Sequence, residues 1–92
     1  MSFKQGQMVV TCGVGEQMTD DEKFSVFVKQ SMARHAAGDW GNLSDADKRE
    51  NEYSLNHDLR LLSAYEKESL PKIWIITEAD RSATTVLFPD EY

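Results

Sequence analysis

His35 and Asp39 are the residues of this chain whose types and spacing come nearest to a chemical site. Four residues apart, an imidazole and a carboxylate would share one face of a continuous helix, where both could ligate a metal. Gly38 is expected to end the helix between them. His57 has only Asp58 beside it, and zinc sites normally need four N, S or O ligands. We therefore predict no metal site, and we expect His35 at the helix C-terminus, where a partly positive imidazole complements the dipole.

The remaining reactive side chains form no recognisable catalytic set. Cys12 is the only cysteine, and Cys12–Gly15 lacks the lysine of a P-loop and the full dinucleotide-binding pattern. No nucleophile, base and oxyanion donor occur together, so we expect no cofactor and no enzymatic activity. A small enzyme stays open as an alternative, with a pocket joining the Gly38–Gly41 loop to the 78–82 hairpin. Its candidate residues are His35, Asp39, Trp40, Glu78, Asp80 and Arg81.

The length and the net charge of the chain exclude several classes of function. The chain has 92 residues, which predicts one domain spanning residues 1–92. Its net charge of −6 makes direct binding to nucleic acid unfavourable, because phosphate contacts need clustered Lys and Arg. No signal peptide and no apolar run long enough for a bilayer are visible, so we expect no membrane association and a cytoplasmic location.

The first half of the chain predicts one strand and two helices. Met8–Thr11 is β-prone, and Gly13 and Gly15 then indicate a turn. Thr19–Glu22 reads as a capping box that starts an amphipathic helix ending at Gly38. A second helix, capped by Ser44, has only a narrow apolar stripe.

The second half predicts three strands. Leu59–Tyr65 alternates, Ile73–Thr77 is an almost unbroken apolar run, and Ala83–Phe88 follows a hairpin-like connection. Short connections favour antiparallel neighbours. The predicted fold is α+β, with the order β-α-α-β-β-β, a C-terminal three-stranded antiparallel meander and two helices packed on one face.

A meander fixes where the carboxylates lie. Glu66, Asp90 and the end of the chain fall at one end of the sheet, and Glu78 and Asp80 fall about 20 Å away at the other. The first group could form an acidic rim, and an apolar sheet face left open by two helices could mark an interface unless loops or aromatics cover it. The candidate partner-binding residues are Glu66, Glu68, Trp74, Asp90, Glu91 and Tyr92.

Two segments resemble a known family. Gly38–Gly41, with the following Asp47 and Asn51, and Ile73–Tyr92 are similar to small bacterial proteins of plasmids and other mobile elements, labelled plasmid-related or as a restriction-enzyme subunit. The Val9–Val14 segment fits the same pattern, so the resemblance covers nearly the whole chain. It implies a mobile-element setting but no specific activity.

The leading hypothesis is therefore a small acidic protein that binds another protein, with a counter-defence role as one specific version. The alternatives are the small enzyme above and a structural homodimer that buries a sheet face or an edge strand. Both a monomer and a homodimer are compatible with the sequence.

Overall fold

The computed structural model describes residues 3–92, which form three α-helices, a four-stranded sheet and a short 3-10 turn. The elements are β1 (Gln7–Val10), α1 (Cys12–Asp20), α2 (Glu22–Ala36), α3 (Asp45–Asn56), β2 (Leu61–Tyr65), β3 (Ile73–Thr77), β4 (Ala83–Leu87) and the 3-10 turn (Pro89–Glu91).

The predicted α+β class and the C-terminal meander are confirmed. The strands lie in the order β1-β4-β3-β2, and β3 pairs antiparallel with both β2 and β4. Ile75 sits at the centre, opposite Ser63 on one side and Val86 on the other. The sequence did not place β1, which runs parallel to β4 at the sheet edge.

The predicted turn at Gly13 and Gly15 is wrong, because both glycines lie inside α1. Thr11 caps this helix, and its hydroxyl oxygen accepts a hydrogen bond from the amide of Val14 at 3.2 Å. The Thr11 hydroxyl also donates to the Glu91 carboxylate at 2.8 Å. A Cβ on Gly13 would lie 2.7 Å from that carboxylate, so glycine lets the C-terminus approach the start of the helix.

The predicted capping box at Thr19 is also wrong. The chain is already helical at Thr19, whose hydroxyl donates to the carbonyl of Gly15 at 3.0 Å. The N-cap of α2 is Asp21, and its carboxylate accepts from the amides of Lys23 and Phe24 at 3.0 and 3.3 Å. The predicted cap of α3 is confirmed, since the Ser44 hydroxyl accepts from Asp47 at 3.2 Å.

Helices α1 and α2 cover one face of the sheet, and the hydrophobic core lies between them and the strands. Side chains of α1 and α2 meet alternate residues of β2, β3 and β4, as the two-residue period of a strand requires. The core residues are Val14, Phe24, Phe27, Val28, Tyr65, Ile73, Ile75 and Val86.

The second face of the sheet is partly covered within the chain, by α3 along β2 and by the C-terminal residue against Trp74. Ile76 and Leu87 on this face are buried, and Trp74 is half-buried. The ring of Tyr92 packs edge-on against Trp74, with 5.7 Å between the ring centroids. The two helices that share a face are thus α1 and α2, whereas α3 lies along β2.

One edge of the sheet, β2, is sealed by hydrogen bonds from α3. Asn51 of α3 is buried, and its side-chain amide holds both outward groups of Leu62. The Leu62 amide donates to the Asn51 Oδ1 at 3.1 Å, and the Asn51 Nδ2 donates to the Leu62 carbonyl at 2.5 Å. The asparagine therefore replaces a further strand at this position.

The loop before α3 seals the rest of this edge. The Ala64 amide donates to the carbonyl of Trp40 at 3.3 Å, and the Ala64 carbonyl accepts from the amide of Asn42 at 2.7 Å. Gly41 lies between them at φ +76°, where a Cβ would be 2.0 Å from the Ala64 carbonyl oxygen. The Asn42 side chain then accepts from the amide of Glu66 at 3.0 Å.

The other edge, β1, is open over the described part of the chain. The amides of Gln7 and Thr11 donate to carbonyls of the β4 side at 3.0 and 3.1 Å. Because a strand alternates, Met8 and Val10 direct their amides and carbonyls away from β4. Within residues 3–92, no hydrogen bond reaches these groups from outside the sheet.

Replacing Asn51 by Ala is expected to lower the free energy of unfolding by about 1–3 kcal/mol, because it leaves both outward groups of Leu62 unpaired in a partly buried place. Urea unfolding measures this change. Asn56→Ala is the matched control on the same helix, since Asn56 is exposed and donates only to the carbonyl of Glu52. The control is expected to change stability by about 0.5 kcal/mol or less. Equal losses in both variants would contradict a sealing role for Asn51.

Candidate functional site

The residues of the predicted enzyme site near the Gly38–Gly41 loop have structural partners. The Asp39 carboxylate forms a two-point ion pair with the Arg34 guanidinium, with its shorter contact at 2.7 Å. This contact lowers the pKa of Asp39. Trp40 is buried, and its indole N–H donates to the Glu52 carboxylate at 2.7 Å. Both side chains therefore hold the loop in place.

The residues of the 78–82 hairpin are likewise engaged in holding the fold. The Arg81 guanidinium donates to the backbone carbonyls of Leu59 and Ser54 at 2.7 and 3.3 Å, which ties the hairpin to the end of α3. The Asp80 carboxylate accepts from the amide of Ser82 at 3.0 Å, and hydrogen bonds from Ser82 lower the pKa of Asp80.

The Gly38–Gly41 loop and the 78–82 hairpin lie near opposite ends of strand β2, so they do not share the pocket that was predicted to join them. Tyr65 is the last residue of β2, and its hydroxyl donates to the carbonyl of Asp39 at 2.6 Å. The hairpin follows Thr77, which pairs with Leu61 at the first residue of β2. Four strand residues span about 13 Å. The alternative set His35, Asp39, Trp40, Glu78, Asp80 and Arg81 therefore forms no common site.

His35 is fully buried and lies in a chain of hydroxyl groups between α2 and the sheet. Its Nδ1 is 2.5 Å from the Ser63 hydroxyl, and its Nε2 is 2.8 Å from the Thr77 hydroxyl. The Thr77 hydroxyl is 2.8 Å from that of Thr84, which donates to the carbonyl of Gln5 at 2.7 Å. His35 lies in the last turn of α2, as predicted, but the expectation of a partly positive imidazole there is wrong, because burial lowers the pKa of the ring.

The direction of these hydrogen bonds places a proton on Nε2 of the imidazole. A carbonyl only accepts, so the Thr84 hydroxyl donates to Gln5, and Thr77 must donate to Thr84. His35 must then donate from Nε2 to Thr77, and in a neutral ring its Nδ1 is the acceptor for the Ser63 hydroxyl. Burial lowers the pKa of His35 to about 4, which agrees with a neutral ring.

The pair Ser63 and His35 resembles a nucleophile and its base, but no substrate reaches it. Both side chains are fully buried under α2, and Phe3 and Trp40 pack against the imidazole with ring centroids 5.4 and 5.7 Å away. Catalysis needs the nucleophile within reach of a bound substrate. The arrangement is a buried polar core that positions α2.

The predicted partner-binding residues lie at one end of the sheet but have different surroundings. Glu66 pairs with Lys72 at 3.7 Å between exposed side chains. Glu91 is bound to Thr11 and to the amide of Phe88 at 2.7 Å, so its carboxylate belongs to the start of α1. The acidic rim is thus interrupted rather than continuous.

Glu68 and Asp90 border two separate depressions. Glu68 lines one together with Lys23 and Lys67 but also with the acidic Asp21 and Glu22, whereas Asp90 lines the other with Lys72 and Pro71. The two carboxylates therefore have different surroundings.

Trp74 lines a groove between α3 and the second face of the sheet, and Tyr92 packs on Trp74 beside this groove. The groove has a volume of about 620 Å³. Trp74, Leu62 and Ala64 form its floor, and Asp47 and Glu50 of α3 form its acidic side. Arg60 and Lys72 lie among its remaining lining residues.

Arg60 is the residue of this groove that sequence reasoning missed. Its guanidinium carbon lies 5.0 Å from the centroid of the Tyr92 ring, and it donates to the Tyr92 hydroxyl. Tyr92 is 69% exposed and packs on Trp74, so Arg60, Tyr92 and Trp74 form a contiguous cluster. We call these three residues the aromatic cluster. No sequence signal links residues 60 and 92, because only the meander brings them together.

No group of three or more His, Cys, Asp or Glu side chains in residues 3–92 is arranged to hold a metal ion. Among the helices of the described chain, none is both long and apolar enough to cross a membrane. Comparison of the chain with protein-family models, with curated proteins and with solved structures gave no match.

The free energy of unfolding is expected to fall by up to about 3 kcal/mol between pH 7 and pH 4 because of His35 alone. Above pH 6.5 both the folded and the unfolded chain hold the imidazole neutral. Below pH 6.5 the unfolded chain binds a proton that the folded chain binds only near pH 4, so stability is lost as the pH falls. Urea unfolding of wild type and His35→Gln across this range measures the difference in slope.

His57→Gln is the control for this prediction, since His57 is exposed at the end of α3 and stacks only on Tyr53. It is expected to keep the wild-type slope. If His35→Gln does not fold, NMR of the wild-type imidazole gives the same information. A His35 ring that takes up its proton near pH 6.5 in the folded protein would contradict the neutral network.

Proposed function

We propose that this chain is a non-enzymatic protein-binding module whose partner docks on the groove between α3 and the sheet. The observation that carries the proposal is the aromatic cluster beside this groove. Trp, Tyr and Arg dominate the binding energy of protein interfaces, and they act best next to a concavity that shields them from water. Here all three types meet at one place on the surface.

The charges of the groove indicate the chemistry of the partner. Its apolar floor of Leu62, Ala64 and Trp74 favours an apolar or aromatic anchor side chain. Asp47 and Glu50 on the α3 side favour Lys or Arg next to that anchor. The net charge of −6 favours a basic partner at longer range and speeds its approach.

The catalytic alternative has less support. The Asp39 carboxylate is held by Arg34, the Asp80 carboxylate by a backbone amide, and His35 by buried hydroxyls. The groove itself contains no nucleophile paired with a base. Binding, in contrast, needs only the surface that is present.

The setting in a plasmid or another mobile element, which the family resemblance implies, is part of the proposal. A counter-defence role is its most specific form. In that form an acidic protein occupies a basic, nucleic-acid-binding surface of a host protein, and Asp47 and Glu50 replace phosphates at the contact. A cytoplasmic location is part of the same proposal.

Tyr92→Ser is expected to weaken partner binding by about tenfold or more, because it removes the ring that joins Arg60 to Trp74. Immobilised wild-type protein captures the partner from a bacterial lysate, and the dissociation constant of the purified partner is then compared between variants.

Tyr53→Ser is the matched control, since Tyr53 is also an exposed aromatic residue, at 53%, but lies outside the aromatic cluster and stacks on His57. It is expected to bind like wild type. Equal affinities of the two variants would exclude the aromatic cluster from the binding surface, and capture of nothing above background would argue against protein binding altogether.

A further inference from the structure

The open edge of the sheet, β1, differs from every other strand of the described chain in its exposure. Met8, Val9 and Val10 are 38%, 38% and 37% exposed, which is unusual for three consecutive apolar residues. The backbone groups of Met8 and Val10 face outward without a partner in residues 3–92. Such an edge is a template for one more strand.

We propose that two copies of this chain pair through β1, antiparallel, with Val9 on the two-fold axis. The groove of the proposed function is not involved, so this inference stands independently of it. The added strand is β1 of the second copy, and the two sheets join into one sheet of eight strands.

The register follows from which backbone groups are free. Only Met8 and Val10 face outward, and in an antiparallel pair each outward residue must exchange two hydrogen bonds with an outward residue opposite. Placing Met8 opposite Val10 of the second copy satisfies this condition at both positions. The pairing makes four hydrogen bonds and leaves Val9 opposite Val9 as a pair without hydrogen bonds.

The charge distribution permits a second copy at this edge. Two chains of net charge −6 repel each other over most of their surface. Residues 5–15 nevertheless contain no charged side chain, although the chain has 10 Lys and Arg and 16 Asp and Glu. Exposed edge strands usually carry a lysine or a proline that prevents pairing, and β1 carries neither.

The sealed edge limits the assembly to two chains. A sheet with two open edges would continue to add copies and form a fibre. Here Asn51 and the loop of Trp40 and Asn42 occupy the β2 edge, so only β1 can pair. Self-pairing of one edge gives a closed, two-fold symmetric dimer.

The dimer is expected to be weak. Pairing of four residues from each chain buries far less surface than a stable specific interface, which buries at least about 1,200 Å² in total. We therefore expect a concentration-dependent equilibrium between monomer and dimer, rather than a permanent dimer.

Cysteine cross-linking tests the register directly. In a Cys12→Ser background, Val9→Cys places two thiols on opposite residues whose Cα atoms are about 4.5 Å apart, within disulfide range. Gln7→Cys is the control, because Gln7 is exposed on the same face of β1. In the proposed register, four residues separate the two Gln7 positions along the strand, about 13 Å.

The expected result under mild oxidation is a covalent dimer for Val9→Cys and little or none for Gln7→Cys, while sedimentation of wild type shows a mass that rises with concentration. Equal cross-linking of both variants would overturn the register. No cross-linking of either variant, together with a constant monomer mass at millimolar concentration, would overturn the dimer. If Val9→Cys fails to fold, the amides of Met8 and Val10 in wild type decide the matter, since they gain protection with concentration only if β1 pairs.

Discussion

The backbone N–H and C=O groups at the two edges of the sheet need hydrogen-bond partners. The rest of this structure depends on this constraint. A four-stranded sheet has two rows of outward backbone groups, and the fold treats them differently. On the β2 side, α3 and the loop before it supply a partner for each outward group of Leu62 and Ala64. This requirement places α3 on the second face and so creates the groove. On the β1 side nothing equivalent is supplied by the described residues.

The buried histidine organises the opposite face of the same sheet. His35 links α2 to β2 through Ser63 and to β3 through Thr77, and the chain of hydroxyls continues to Thr84 on β4. A polar network of this kind is stable only when every member is paired, and burial of this one lowers the pKa of His35 and keeps its ring neutral. Fold stability and the protonation of one side chain are therefore coupled, although no chemistry takes place there.

Local patterns predicted the elements whose signals are contained in a few neighbouring residues. The apolar run Ile73–Thr77 indicated a central strand, and Ser44 indicated the start of α3. Helix α1 was missed because Gly13 and Gly15 oppose helix formation, whereas the contact that favours it comes from Glu91 at the far end of the chain. The signal for His35 was present, since it shares the apolar stripe of α2 with Phe24 and Phe27.

The candidate site depended on contacts that no local pattern contains. Trp74 and Tyr92 were identified from the sequence, but Arg60 joins them only once the meander is folded. Asn51 lies in a polar stretch of α3, and nothing in that stretch predicts that its side-chain amide binds the outward backbone groups of Leu62 in place of a further strand. Residues that act by pairing with the backbone of a distant segment are therefore the hardest to identify from the sequence.

Amide hydrogen exchange of dilute protein tests the asymmetry of the two edges most directly. The account predicts that the outward amides of Leu62 and Ala64 exchange slowly, whereas those of Met8 and Val10 exchange fast and Val9 between them is protected. Fast exchange at Leu62 and Ala64, or equal protection of Met8, Val9 and Val10 at low concentration, would contradict it.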